Sequence, residues 1–329
     1  MEYRRMGHTG LQLSLLSFGS WVTFHKQIED NTADTLMGMA YDNGVNFFDN
    51  AEVYALGESE KMMGRVLKTK NWDRTSYTVS SKAYFGWRGK SNKPNQTGLS
   101  RKHLVEACHE ALGRLQLDYL DLFFCHRPDT SVPISEVVWT MHNLIQQGKI
   151  LYWGTSQWSG AEIMEAHRVA DQHNLIGPAM EQPQYNMFER FKMEQDYLPV
   201  FQNKGLGTTI WSPLAAGFLT GKYNNGIPAD SRLAIEGFDW LKERWIQDAK
   251  LEKVKKLGAL ADEMGVSLAS LAIAWTIKNP NVTTAILGAT RKEQLTENLK
   301  ALDVLPMITP EIDTRIEEIL QNKPKLDLS

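Results

Sequence analysis

Short apolar runs and amphipathic stripes alternate along almost the whole chain. Eight runs, at residues 15–18, 45–48, 77–81, 119–125, 150–154, 179–182, 208–211 and 283–287, are rich in β-branched, aromatic and aliphatic side chains. Their lengths suit strands buried on both faces. Between them apolar residues recur at helical spacing. The clearest set is Leu104, Ala107, Cys108, Ala111, Leu112 and Leu115, with Ser100 placed as the N-cap. Comparable stripes run through Leu36, Met37 and Ala40, through Met62, Met63, Val66 and Leu67, through Val138, Met141, Leu144 and Ile145, and through Leu295, Leu299 and Leu302. Strands interleaved with helices, rather than joined by hairpin turns, predict parallel βα units. Eight of them predict an α/β fold of the (β/α)8 TIM-barrel kind, with residues 1–329 forming one barrel domain.

Some segments exceed the repeat. Thr9-Gly10, between Arg4-Arg5-Met6 and Leu11-Gln12-Leu13, reads as a turn joining two short strands that cap the barrel floor. Residues 248–279 hold two successive helical stripes, of which one is extra. The connections at 84–98 and 213–237 are rich in Gly, Asn and Pro and follow strands, so both are expected on the rim as lids. Gln321-Asn322-Lys323-Pro324, beyond the last stripe, reads as a tail.

Composition narrows the setting without choosing a function. A net charge of -3 supplies no basic stripe for nucleic acid, and no Lys/Arg-rich amphipathic helix suggests a membrane surface. No apolar stretch is long enough for a signal or a span, so a cytoplasmic protein without membrane insertion is expected. Cys108 and Cys125 fall in a predicted helix and at a predicted strand end, as buried thiols rather than a disulfide.

Four polar residues stand where the runs end: Asp49, Tyr54, Lys82 and His126. On parallel barrel strands they share the rim that carries the chemistry of such enzymes. The set suits reduction of a carbonyl, which needs an acid to protonate the developing alkoxide. A tyrosine with a pKa of ~10 is a poor acid, but a positive charge about 4 Å away at an effective dielectric of ~20 is worth roughly 4 kcal/mol, about three pK units. Lys82 supplies that charge in this reading, Asp49 holds the ammonium, and His126 orients the carbonyl oxygen through an imidazole N–H. Taken singly, each has an ordinary alternative as a cap, a rim charge or a structural histidine.

Phe48-Asp49-Asn50-Ala51-Glu52-Val53-Tyr54 with Gly57-Glu58-Ser59-Glu60, then Ser81-Lys82, then His126-Arg127-Pro128-Asp129, resembles the aldo-keto reductases over about residues 3–322. Ser20-Trp21-Val22-Thr23-Phe24, Gly98-Leu99-Ser100-Arg101-Lys102-His103, Tyr152-Trp153-Gly154-Thr155-Ser156 and Trp211-Ser212-Pro213-Leu214 most resemble the branch of voltage-gated potassium channel β subunits and their bacterial reductase relatives. The resemblance implies a barrel that binds NADPH in extended form. It also implies a homotetramer or larger assembly, since the channel subunits form fourfold rings. In one respect the chain departs from them: they have Asn in place of His126 and Arg in place of Gln157, and His is what the efficient reductases carry. The resemblance therefore implies an NADPH-dependent aldehyde or ketone reductase, with a slow, NADPH-binding regulatory subunit as the alternative.

The resemblance also assigns cofactor contacts. Ser156 and Gln182 hold the carboxamide, and Trp211 stacks on the nicotinamide. Ser212, Leu214, Ala215, Ala216 and Lys222 follow the pyrophosphate, with Arg232 near the adenosine. Gly288, Thr290, Gln294, Glu297 and Asn298 match the segment for the adenosine and 2′-phosphate, beside the charges of Arg291 and Lys292. Gln27 is a further contact of this branch, and Ser20, Trp21, Asp49, Gln157 and Pro213 complete the set.

Other chemistries fail on spacing. The chain has no Gly-x-Gly-x-x-Gly turn. Gly154-Thr155-Ser156-Gln157-Trp158 lacks the second glycine of a nucleophile elbow, and Gly217-Phe218-Leu219-Thr220-Gly221-Lys222 is too short for a phosphate loop. His109-Glu110 has no histidine partner at Gly113, so no metal is expected there. The substrate is a small carbonyl compound, for which Trp21, Phe24, Tyr54, Tyr84, Phe85 and Trp87 are candidate aromatic walls.

Overall fold

Eight of the apolar runs close into a parallel barrel in the computed structural model, which describes residues 1–21, 24, 29–229, 231–234 and 239–325. The strands are β3 (Leu16–Gly19), β4 (Phe47–Asp49), β5 (Thr78–Ala83), β6 (Leu120–Cys125), β7 (Ile150–Thr155), β8 (Met180–Glu181), β9 (Gly207–Trp211) and β10 (Thr284–Leu287). They pair in chain order, and β10 closes on β3. The strand ends sit a residue or two from the expected ones. Asp49 ends β4 and Lys82 lies inside β5, rather than just beyond their strands.

The outer layer comprises α1 (Asp30–Asp42), α2 (Glu58–Lys70), α3 (Arg101–Leu115), α4 (Ile134–Gln146), α5 (Gly160–His173), α6 (Leu198–Lys204) and, after a short α7 (Asp239–Trp245), α8 (Asp248–Glu263) to α12 (Pro310–Leu320). Ser100 caps α3 as expected, its hydroxyl accepting from the N–H of His103. The paired stripes of 248–279 become α8 and α9 (Leu268–Lys278). Every residue of α9 from Ser270 to Ile277 is buried, whereas α8 keeps one buried face and packs against α12. Among the described residues no single helix is long and apolar enough to cross a membrane.

Period-two alternation sorts the barrel interior into layers. Phe47, Leu122, Phe124, Met180 and Ile286 form an apolar floor. Two residues further along their strands, Asp49, His126 and Gln182 line the cavity above it. The N-terminal hairpin of β1 (Tyr3–Arg5) and β2 (Gln12–Ser14) closes the bottom, with Met6 and Leu13 buried against the floor. Gly7 makes that closure fit: at φ +56° its backbone lies so close to Gly205 that a Cβ would stand 2.1 Å from the carbonyl oxygen. The expected tail is anchored at its start, where Asn322 donates to the Met187 carbonyl at 2.9 Å.

Candidate active site

Asp49 and Tyr54 meet at the ammonium group of Lys82, and the fourth rim residue, His126, packs on the Tyr54 ring. Lys82 Nζ donates to Asp49 Oδ2 at 2.6 Å, to the Asn50 carbonyl at 2.8 Å and to Tyr54 Oη at 3.2 Å. All three of its donors are thus directed, and the side chain is fully buried. Asp49 is held from its other oxygen by Ser80 Oγ at 2.7 Å and Gln182 Nε2 at 3.0 Å. Tyr54 opens a tight turn in which Ala55 and Leu56 adopt left-handed φ of 48° and 55°, projecting the ring back over the barrel. His126 stands edge-on to that ring, with centroids 5.8 Å apart. Among the described residues its buried Nδ1 has no partner, and Nε2 is the nitrogen left to a ligand in the cavity that His126 lines.

Burial dominates the electrostatics. It raises the Tyr54 phenol well above its ordinary value, and the neighbouring Asp49 carboxylate adds to the rise. The sequence-based expectation of a phenol already lowered by Lys82 therefore does not describe this resting site. Lys82 shares its charge with Asp49 and Asn50, and is itself pulled down by burial. His126 is held well below its usual value by burial and by the charges of Lys82 and Arg127, so its imidazole is neutral near pH 7.

Behind these residues lies a buried charged shell that sequence reasoning passed over. Glu52 accepts from the N–H groups of Tyr84 and Gly86, both at 2.8 Å, and pairs with His103 at 3.2 Å. Glu60 accepts from Ser81 at 2.5 Å and from Arg114 at 2.6 Å. Both glutamates stand in the quoted motif, but apart from Ser81 of β5 their partners come from the 84–98 connection and α3, which local sequence does not reveal.

One cavity of about 1130 Å³ runs from Tyr54 and His126 along the rim to α10 (Lys292–Leu299). Asp49, Trp21, Ser156, Gln182, Trp211, Ser212, Pro213, Leu214, Ala216 and Lys222 line it, as do Gly288, Thr290, Arg291, Gln294, Glu297 and Asn298. Ala215, Ser20 and Gln157 are not among the lining residues. Ala215 is fully buried, and Ser20 is buried with its hydroxyl on the Asp49 carbonyl at 3.1 Å. Gln157 turns away from the cavity: with its amide oriented to meet them, it accepts from the Trp211 indole N–H at 3.0 Å and from Gln184 N at 2.6 Å. It therefore fixes the Trp211 ring. Arg232 begins a short helical turn, Arg232–Ala234, and Gln27 lies outside the described residues. Of the aromatic candidates, Trp21, Tyr54 and Phe85 line the cavity; Phe24 is buried against Phe18, Tyr84 packs on the core, and Trp87 Nε1 donates to Glu110 at 2.6 Å. Trp240 of α7 also lines it, from a helix that sequence reasoning did not assign to the site.

A sequence profile of the aldo/keto reductase family matches residues 15–321. The chain belongs to that family, one of oxidoreductases. It is 50% identical over 326 residues to a protein of Arabidopsis thaliana named probable voltage-gated potassium channel subunit beta, covering 99% of this chain and 98% of that one. A protein of the same name from Oryza sativa subsp. japonica matches to the same extent. The branch to which the motifs pointed is thus the one to which the chain is similar.

Proposed function

We propose that this protein reduces an aldehyde or ketone to the alcohol with NADPH, using Tyr54 as the acid. The observation that carries the reading is the directed ammonium of Lys82, held by Asp49 at 2.6 Å and touching the phenol at 3.2 Å. A nicotinamide cofactor, when bound, supplies the hydride. Tyr54 holds the proton: a phenol kept protonated by burial is the form an acid needs, and a tyrosinate beside an ammonium is stabilised once the proton has left. Neutral His126 donates from Nε2 to the carbonyl oxygen.

The cavity wall supports the cofactor assignment. Ser212, Ala215, Ala216 and Gly217 all adopt positive φ, in a run of tight turns from which Ser212, Ala216 and Gly217 line the cavity. Arg291 precedes α10 without a side-chain cap, leaving the helix start to a phosphate, and Lys222, Thr290 and Gln294 stand along the same wall. A fluorescence titration is expected to give a Kd for NADPH about tenfold or more below that for NADH, through charge-assisted contacts to the 2′-phosphate. Turnover of an aldehyde panel with NADPH tests the activity; no oxidation of NADPH by any member would refute it.

A second reading is favoured by the names of the relatives: a regulatory subunit that binds NADPH and turns over slowly. It predicts single-turnover oxidation of bound NADPH without matching steady-state turnover. Light scattering tests the accompanying proposal of a homotetramer or larger assembly, which a monomer at micromolar concentration would remove.

A further inference from the structure

His126 is followed by a cation that the proposed chemistry does not use. Arg127 lines the cavity beside Tyr54, His126, Phe85 and Trp21. Its one described hydrogen bond is from Nη1 to the His126 carbonyl at 2.5 Å. Among the described residues no carboxylate lies within ion-pair distance of it, although a guanidinium carries five N–H donors in a planar fork. It differs in this from the neighbouring buried cations, since Lys82 is paired with Asp49 and Arg114 with Glu60. Glu181, a buried carboxylate whose charge acts on Arg127, is turned to the backbone N–H of Gln157 and the hydroxyls of Thr155 and Tyr197.

The position of this cation sets a length. The Arg127 guanidinium lies 5.5 Å from the centroid of Phe85, and the His126 ring lies 5.2 Å from the same centroid. The two distances together place the guanidinium no more than about 11 Å from the His126 ring, so a ligand with its aldehyde at Tyr54 and His126 and its anion at Arg127 is a short one that lies against Phe85. A half-buried guanidinium with unused donors, beside the aromatic walls of Trp21, Tyr54 and Phe85, favours a planar carboxylate, which it binds through two parallel N–H groups.

We propose that Arg127 is a substrate-binding residue that selects short aldehydes carrying a carboxylate. This inference rests on the reductase reading for its aldehyde end and on Arg127 alone for its anion end.

The test compares para-carboxybenzaldehyde with its methyl ester, in wild type, Arg127→Gln and Arg127→Lys. Wild type is expected to show a kcat/KM for the acid about tenfold or more above that for the ester, a preference that shrinks as salt rises. Arg127→Gln should bring the ratio to about one, and Arg127→Lys should keep part of it, as a point charge lacking the fork. Equal wild-type values, or an Arg127→Gln variant that slows both substrates alike, would overturn the proposal and leave Arg127 as a brace for His126. Calorimetric titration with para-carboxybenzyl alcohol and its methyl ester, with and without NADP, reads the same site without turnover. Tighter binding of the acid by wild type but not by Arg127→Gln supports the anion site even if no aldehyde is reduced, in which case the reductase reading alone has failed. Equal binding of acid and ester by wild type overturns the anion site whatever the turnover.

Discussion

The two ends of the cavity are built in different ways. At the reacting end Asp49 and Lys82 stand on adjacent barrel strands, and their register and mutual hydrogen bonds leave little freedom. At the far end the wall comes from a segment in which Ser212, Ala215, Ala216 and Gly217 have positive φ, and from the start of α10, where backbone conformation rather than strand register places the groups. The difference teaches where each kind of damage should appear. Changes at the strand ends should fall on the chemical step, and changes in the turns should fall on cofactor affinity.

Lys82→Met makes the largest break. It leaves Asp49 buried without its cation, and stranding one member of a buried pair typically costs about 3–5 kcal/mol of stability. It also removes the charge that stabilises the tyrosinate, so turnover should fall by about a hundredfold to ten-thousandfold. Denaturation and steady-state kinetics on one preparation measure both; a stable variant with most of its turnover would show that the pair is structural ornament on the rim. His126→Asn is milder. The shorter side chain withdraws one donor from the oxyanion, which typically costs roughly 3 kcal/mol, about a hundredfold in rate. Unchanged kcat would leave His126 as packing for Phe85.

Gly217→Ala probes the other end. Gly217 has φ +87°, and a Cβ there would stand 2.8 Å from the Lys222 side chain. Strain and the displaced lysine should raise the Kd for NADPH by about tenfold, with the smaller effect on turnover of bound cofactor. If the loss fell on kcat instead, the division between the two ends would be wrong.

The smallest expected effect concerns Glu181, which lies under the 156–158 loop beside the cavity. Burial pushes its carboxyl up to about 7 from an ordinary 4.5, against the hydrogen bonds of Thr155, Gln157 and Tyr197 and the charge of Lys192. The native chain therefore binds this proton more tightly than the unfolded chain. The associated stability is present below the unfolded value and is lost as pH rises through about 7. Relative to Glu181→Gln, wild type should lose on the order of 1–2 kcal/mol between about pH 5 and about pH 8, read from urea midpoints. A pH-independent difference would contradict the assignment.

The same contrast decides what could be read in the sequence. Barrel strands announce themselves as short apolar runs, and period two then carries Asp49, Lys82 and His126 to one rim without further information. Tyr54 needed its turn as well, and the motif around it supplied the residue if not the geometry. Gln157 shows the limit: its place in the motif suggested a cofactor contact, yet a φ of 62° and the approach of Trp211 turn it outward to hold the indole. Trp240 and the partners of Glu52 and Glu60 depend on packing between segments far apart in the chain. Local pattern does not encode that packing. The Tyr54 phenol departs from the expected direction for a related reason, since a charge pair is legible in residue types whereas complete burial is visible only in the fold.

Rapid mixing of an aromatic aldehyde with NADPH-loaded protein, following nicotinamide absorbance through a single turnover, tests the central claim most directly. Wild type should oxidise its bound cofactor in one phase. Tyr54→Phe, binding NADPH equally well, should be slower by about a hundredfold to ten-thousandfold, because the phenol that donates the proton is gone. A Tyr54→Phe variant that oxidises NADPH at the wild-type rate would contradict the account.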